Sequence, residues 1–222
     1  MTVPAAVPVL YEDDDFLAVD KSEGVVSVSE AGQGGLPALV SGSGVYTGRL
    51  YPVHRLDREA SGVIVFAKNP GSHRFLNAAF ERRDVRKAYL ALVLGVMNAN
   101  RGIIDNPVRE FGSGRMGVDA KRGKPSTTEF KVVRRLRRHT LLRAFPLTGR
   151  RHQIRVHLYD LGHPIAGDLR YGDWDVQKEY PRLMLHALEI EFALPSGERL
   201  KIEAPEPESF RSVVAQLSAF AI

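Results

Sequence analysis

The chain has 222 residues, of which 44% are hydrophobic and 26% charged, with 31 basic against 26 acidic side chains. That is an ordinary globular composition, with enough residues for a sizeable core and no need of disulfide staples. Cysteine is absent, which removes thiolate nucleophiles, iron–sulfur clusters and cysteine zinc sites together. No run approaches the roughly 20 apolar residues of a membrane-spanning helix, and the opening MTVPAAVPVLYEDDD lacks the basic-then-apolar order of a signal peptide. A cytoplasmic protein that does not enter membranes is expected.

Taken in chain order, Val9–Tyr11 and Phe16–Asp20 predict two short strands joined by an acidic turn. Residues 30–48 are rich in Gly and Ser and predict a loop, with one helical turn near Leu36–Val40. Gly62–Ala67, GVIVFA, is apolar throughout and β-branched at its centre, the pattern of a strand covered on both faces. Asn69-Pro70-Gly71 is a helix-entry signal, and Phe75, Leu76, Ala79 and Phe80 follow at helical spacing, which predicts a helix over Ser72–Arg82.

Lys87–Val93, Ser126–Val133 and Thr140–Leu147 predict three more strands, and Phe111–Lys124 reads as a Gly-rich basic loop. Arg150–Leu161 predicts a helix with Ile154, Leu158 and Leu161 on one face and Arg151 with Arg155 on another. Leu183–Leu194 and Arg199–Glu203 predict a hairpin, and Pro207–Phe220 a closing amphipathic helix. With strands in the majority, short connections and no interdomain linker, the expectation is a single α+β domain on a largely antiparallel or mixed central sheet flanked by helices and loops.

The net charge of +5 favours polyanionic partners, and its placement sharpens the point. Basic residues gather at Arg82–Lys87, Lys121–Lys124, Arg134–Arg138 and Arg150–Arg155, in the middle of the chain. Metal chemistry finds little support: His152 and His157 are five apart rather than four, without an accompanying carboxylate. Neither a P-loop nor a strand-linked G-x-G-x-x-G cradle is present, and Ser61 lacks the glycines of a nucleophile elbow. Carboxylate chemistry at Asp57 is what is left, in the arginine-dense stretch YPVHRLDREASGVIVFAK from Tyr51. A turn or cap aspartate is the ordinary alternative for such a residue.

The run HRLDREASGVIVFAK resembles the catalytic motif of the RluA-type pseudouridine synthases, His-Arg-Leu-Asp followed by Thr-Ser-Gly and an apolar strand. KAYLALVLG from Lys87, LTGRRHQIRVHLYDLGHPIAGDLRYG from Leu147 and RLMLHALEIEFALPSG from Arg182 agree in order and spacing, so the likeness runs from Tyr11 to Ala204. Two departures stand out: Ala60 replaces the usual Thr, and Asp20-Lys21-Ser22-Glu23-Gly24 stands where an Asn-Lys-Pro-x-Gly segment is usual. The first removes a hydroxyl from the catalytic loop, and the second a rigid residue nearby. The likeness starts at Tyr11 with the catalytic domain, so a form without the S4 RNA-binding domain of some relatives is expected.

The resemblance implies the pseudouridine synthase fold with an RNA-binding cleft, and an isomerase that converts uridines of ribosomal or transfer RNA to pseudouridine without metal or organic cofactor. It assigns Asp57 as the catalytic carboxylate, Arg155 as its ion-pair partner and Tyr89 as the ring against the uracil. Leu185 becomes an apolar wall of the base pocket, and Arg151 a phosphate contact. His54 and Arg55 would enter the RNA helix in place of the extruded base, and Lys121, Arg122, Lys124 and Arg134–Arg138 would hold the RNA backbone. A monomer on an RNA stem-loop is the expected assembly. A non-catalytic RNA-binding or ribosome-assembly protein on the same fold is the alternative that Ala60 and the basic clusters keep open.

Overall fold

The computed structural model describes residues 7–28 and 34–219, and part of the predicted 30–48 loop and the end of the closing helix lie outside these. The chain opens with β1 (Val9–Glu12), β2 (Phe16–Lys21), α1 (Leu36–Gly42), β3 (Tyr51–Pro52), β4 (Ser61–Ala67) and α2 (Pro70–Glu81). Six strands follow: β5 (Arg86–Leu94), β6 (Arg101–Asp105), β7 (Val108–Glu110), β8 (Met116–Val118), β9 (Thr127–Leu136) and β10 (His139–Pro146). Then come α3 (Gln153–Asp160), α4 (Trp174–Gln177), β11 (Leu185–Ala193), β12 (Arg199–Glu203) and α5 (Glu208–Ala219). This is the expected α+β architecture, with helices against largely antiparallel strands.

Two compact units divide the chain. The first comprises residues 1–86 and 187–205, the second residues 87–186 and 206–222.

In the first unit the strands run in the order β1, β2, β4, β11, with β12 paired to β11 and β3 to β4. Every residue of β4 is buried, as its unbroken apolar run demands. Antiparallel pairing with β2 sets Phe16 against Ala67 and Lys21 against Gly62. Phe16 meets Phe192 of β11 edge to face at 5.4 Å, an arrangement aromatic quadrupoles favour. The acidic turn between β1 and β2 is held by Asp13, whose Oδ1 accepts from the backbone N–H groups of Asp15 and Phe16. Helix α2 starts where its entry signal lies: the Asn69 side chain accepts from the Ser72 N–H, the Ser72 hydroxyl accepts from the Asn69 N–H, and Pro70 fills the first turn.

In the second unit the strands run β5, β10, β9, β6, each antiparallel to its neighbour. Leu92, Leu142, Leu158 and Phe210 are fully buried there. The basic loop expected over Phe111–Lys124 instead contains half of a small hairpin, β7 with β8, in which Val108 pairs with Val118. Its apolar residues Val108 and Met116 pack on Val156 of α3 and on Tyr171, so packing overrides the local glycine content. Helix α3 starts three residues later than expected, because His152 before it is in the left-handed region (φ 53°). Arg151 is therefore outside the helix and shares no face with Arg155, and Leu161 is an exposed terminal residue rather than part of a buried stripe.

Candidate active site

The loop that carries the HRLD motif belongs to the first unit and joins β3 to β4. Its backbone is tied down on both sides of Asp57. Leu56 is buried, and the buried Ser27 hydroxyl both accepts from the Leu56 N–H (3.0 Å) and donates to the Leu56 carbonyl (2.9 Å). The Ala60 N–H donates to the Asp57 carbonyl (3.2 Å), closing the turn. Lys21, wholly buried, donates to the carbonyls of Ser22, Val25 and Arg58, so its ammonium is satisfied by three acceptors and welds residues 22–25 to the loop. The Gly24 N–H adds a bond to the Arg58 carbonyl, returned by Arg58 Nε to the Gly24 carbonyl.

Gly62 fixes where the loop enters β4. Its φ is +115°, and a Cβ there would lie 2.2 Å from the carbonyl oxygen of Ala187 on β11. Only glycine permits so close an approach of the two strands. Asp57 is half-buried and Arg55 exposed.

His54 ties the loop to its neighbours. Its Nε2 accepts from the Val65 N–H of β4 at 2.9 Å, and its ring stacks on Phe80 of α2, with centroids 5.2 Å apart and planes 27° from parallel. The ring is thus engaged at its edge and its face and props the loop. Accepting from an amide also requires an unprotonated Nε2. His54 is thus held against β4 and α2 by Val65 and Phe80, and Arg55 beside it is exposed.

Tyr89, Arg151, Arg155 and Leu185 belong to the second unit. Tyr89 is half-buried on β5, opposite Ala144 of β10. Lys87 lies two residues before it on the same face, and burial pulls its ammonium pKa down to about 8. Leu185, the first residue of β11, is buried. Arg151 pairs with Glu110 of the small hairpin at 3.0 Å, an exposed ion pair of little energetic weight.

Arg155 is buried on α3 and makes a bidentate ion pair: Nε to Asp168 Oδ2 and Nη2 to Oδ1, both 2.8 Å, with the Asp168 side chain fully enclosed. Asp168 Oδ1 also accepts from the backbone N–H groups of Arg170 and Tyr171. The Tyr171 ring lies 5.3 Å from the guanidinium. Burial pushes the Tyr171 phenol up, and its hydroxyl accepts from the Met116 N–H and shares a hydrogen bond with His152 Nδ1 at 2.8 Å. Gln153 explains the HQIR start of the helix, since its amide accepts from Thr148 and Arg150 and donates to Thr127 and Thr128.

Asp168 and Tyr171 are the residues that reasoning from sequence does not single out, although GDLRYG lies inside one of the quoted motifs. Of the expected RNA-backbone contacts, Arg135 is committed elsewhere: it donates to the carbonyls of Met97 and Asn98 and to Asn100 Oδ1, clasping the loop before β6. Among the described residues, no three His, Asp or Glu side chains cluster as a metal site, and no helix is long and apolar enough to cross a membrane.

Comparison with known proteins gives this arrangement its context. The family model of the RNA pseudouridylate synthases matches residues 15–160. The chain is 37% identical over 228 residues to ribosomal large subunit pseudouridine synthase C of Vibrio vulnificus, covering 94% of this chain and 69% of that one. It is 38% identical over 225 residues to the Escherichia coli K12 protein of the same name, with the same two coverages. Against the Vibrio cholerae protein of that name the chain spans 65% of the relative's length. Among solved structures, human RNA pseudouridylate synthase domain containing 1 superposes with a TM-score of 0.79 at 29% identity, covering 100% of this chain and 98% of that one. With the family model across residues 15–160 and relatives aligned over nearly its whole length, the chain belongs to the RNA pseudouridylate synthase family, whose members are isomerases.

Proposed function

We propose that the protein isomerises uridines of ribosomal RNA to pseudouridine, with Asp57 as the catalytic carboxylate. The observation that carries this reading is the HRLD loop itself: Ser27, Lys21, His54 and Gly62 fix the backbone on either side of Asp57 while its side chain stays half-buried. Such investment in one loop suits a preorganised reacting group better than a turn aspartate. That relatives are named for the large ribosomal subunit favours ribosomal RNA over transfer RNA.

In the proposed reaction the C1′–N1 glycosidic bond breaks, the uracil turns while held, and C1′ bonds to C5. The C5 proton is lost and N1 gains one, so atoms balance without redox change or co-reactant. Arg155 balances the charge of Asp57, Tyr89 lies against the uracil and takes part in proton removal at C5, and Leu185 walls the base. A uridine within a stem must be extruded at a cost of a few kcal/mol. Arg55, exposed beside Leu56, fills the place it leaves, and Lys121, Arg122 and Lys124 hold phosphates, with Arg151 beside them. The enzyme acts as a monomer.

The test is release of tritium from RNA labelled at uridine C5. The wild-type protein releases it from ribosomal RNA, and Asp57→Asn does not while still binding RNA. Absence of release by the wild type, with RNA binding intact, would establish the alternative of a non-catalytic RNA-binding protein.

A further inference from the structure

The register of the second unit's sheet separates its side chains into two faces with different chemistry. Gly102, Phe130, Ala144 and Tyr89 stand opposite one another across β6, β9, β10 and β5, and so share one face. Arg101, Lys131, Arg143 and Leu90 form the next row and point the other way. On the first face Phe130 and Ala144 are buried, whereas on the second Arg101 and Lys131 are exposed and Arg143 is half-buried. The opposite face from Tyr89 therefore carries three cations side by side on adjacent strands.

Arg134, exposed and opposite Leu141 after the bulge in β9, adds a fourth cation to that face. Glu129, two residues from Lys131 on the same face, is the nearest carboxylate by register, and among the described residues neither it nor any other acid forms an ion pair with Arg101, Lys131, Arg134 or Arg143. Like charges directly opposite on neighbouring strands destabilise a sheet. Arg101 against Lys131 and Lys131 against Arg143 are two such pairs, with no ion pair to offset them among the described residues. Two residues further along the same face, Ile103 (67% exposed) and the half-buried Phe145 flank Glu129, so the cations have a mixed row as their neighbour.

We propose that this face is a second RNA-binding surface, which takes the phosphodiester backbone of an RNA segment other than the one carrying the target uridine. A row of unpaired cations at strand spacing is complementary to a polyphosphate, whose charge supplies the neutralisation the fold lacks. Because the row points away from the face of Tyr89, one segment of RNA does not serve both. The protein then reads folded RNA with two segments in fixed relation, and a minimal stem-loop engages only one of its surfaces. This inference rests on the reading that the substrate is RNA.

The test compares the wild type with the triple variant R101Q/K131Q/R143Q on large-subunit ribosomal RNA and on the shortest stem-loop of it that supports tritium release. The expected result is at least tenfold weaker binding of the long RNA, with a log–log salt slope shallower by about 2 to 3, and unchanged turnover of the stem-loop. Unchanged affinity and slope on the long RNA would overturn the proposal, as would equal losses on both RNAs. A defect seen only with ribosomal particles and not with naked RNA would overturn it in favour of a protein partner. Should the wild type release no tritium while the variant still shows the altered slope, the second surface stands and the catalytic reading falls.

Discussion

The guanidinium of Arg155 lies edge-on to the carboxylate of Asp168, Nε to Oδ2 and Nη2 to Oδ1 at 2.8 Å each, with neither side chain more than 4% exposed. A buried ion pair is a poor route to stability, since well-packed apolar residues usually do as well. What a bidentate clamp does supply is a fixed plane: with its Nε edge held, the rest of the guanidinium points in one direction. Asp168→Asn keeps one acceptor but turns an amide NH2 toward a guanidinium donor. The expected outcome is a stability loss of about 3–5 kcal/mol in urea titration, and in the protein that remains folded a fall in kcat of at least about 100-fold. RNA affinity stays near the wild-type value, and a variant with unaltered kcat would show that Arg155 does not depend on this clamp.

Gly62→Ala places a methyl group 2.2 Å from the Ala187 carbonyl oxygen, in a backbone conformation with φ +115°. Strand separation or a shifted loop must follow, at a cost of about 3 kcal/mol or more. Chemical denaturation measures the loss, and tritium release should fall further than the folded fraction does, because the strain enters at the base of the HRLD loop.

His54→Phe preserves the stack on Phe80 but leaves the Val65 N–H without its acceptor. The expected destabilisation is about 1–3 kcal/mol, with reduced kcat and little change in RNA affinity. A variant that instead loses RNA binding and retains kcat would return His54 to the role of a direct RNA contact.

Acid should weaken the second unit through His157. This ring is fully buried, with Nδ1 2.9 Å from the Thr128 hydroxyl and Nε2 2.9 Å from the Asn106 carbonyl, and burial holds its pKa below the ordinary histidine value. Because the folded pKa is the lower of the two, the unfolded chain binds more protons below about pH 6.5. Stability is thus full above that pH and declines as pH falls toward the folded value, by at most about 1.4 kcal/mol per pH unit for this group. His139 is shifted the same way by burial and adds to the slope. Thermal melts from pH 7.5 to 5 measure the decline, and His157→Gln should flatten it.

The strands and the catalytic loop are legible in the sequence for a local reason. Gly62–Ala67 is apolar at every position because it is covered on both faces, and the Asn69-Pro70 entry to α2 is spelled in adjacent residues. The small hairpin is hidden because its glycines argue for a loop, while the contacts that order it, to Val156 and Tyr171, lie tens of residues away. Asp168 is hidden for a related reason: a carboxylate between glycines is ordinary turn chemistry until Arg155, thirteen residues earlier, is seen to meet it. For His54 the sequence shows a basic residue next to Arg-Leu-Asp, while its partner, a main-chain amide on the following strand, is visible only in the structure.

Strand β4 lies between β2 and β11, and β11 is drawn from residues 185–193. A nascent chain that has already made the HRLD loop still lacks the Ala187 backbone against which Gly62 seats. The loop cannot take its final form until most of the chain has left the ribosome. Emergence of residues near 187 therefore completes the seat of Gly62, while the ties of the loop to Lys21, Ser27 and Val65 need only residues made earlier.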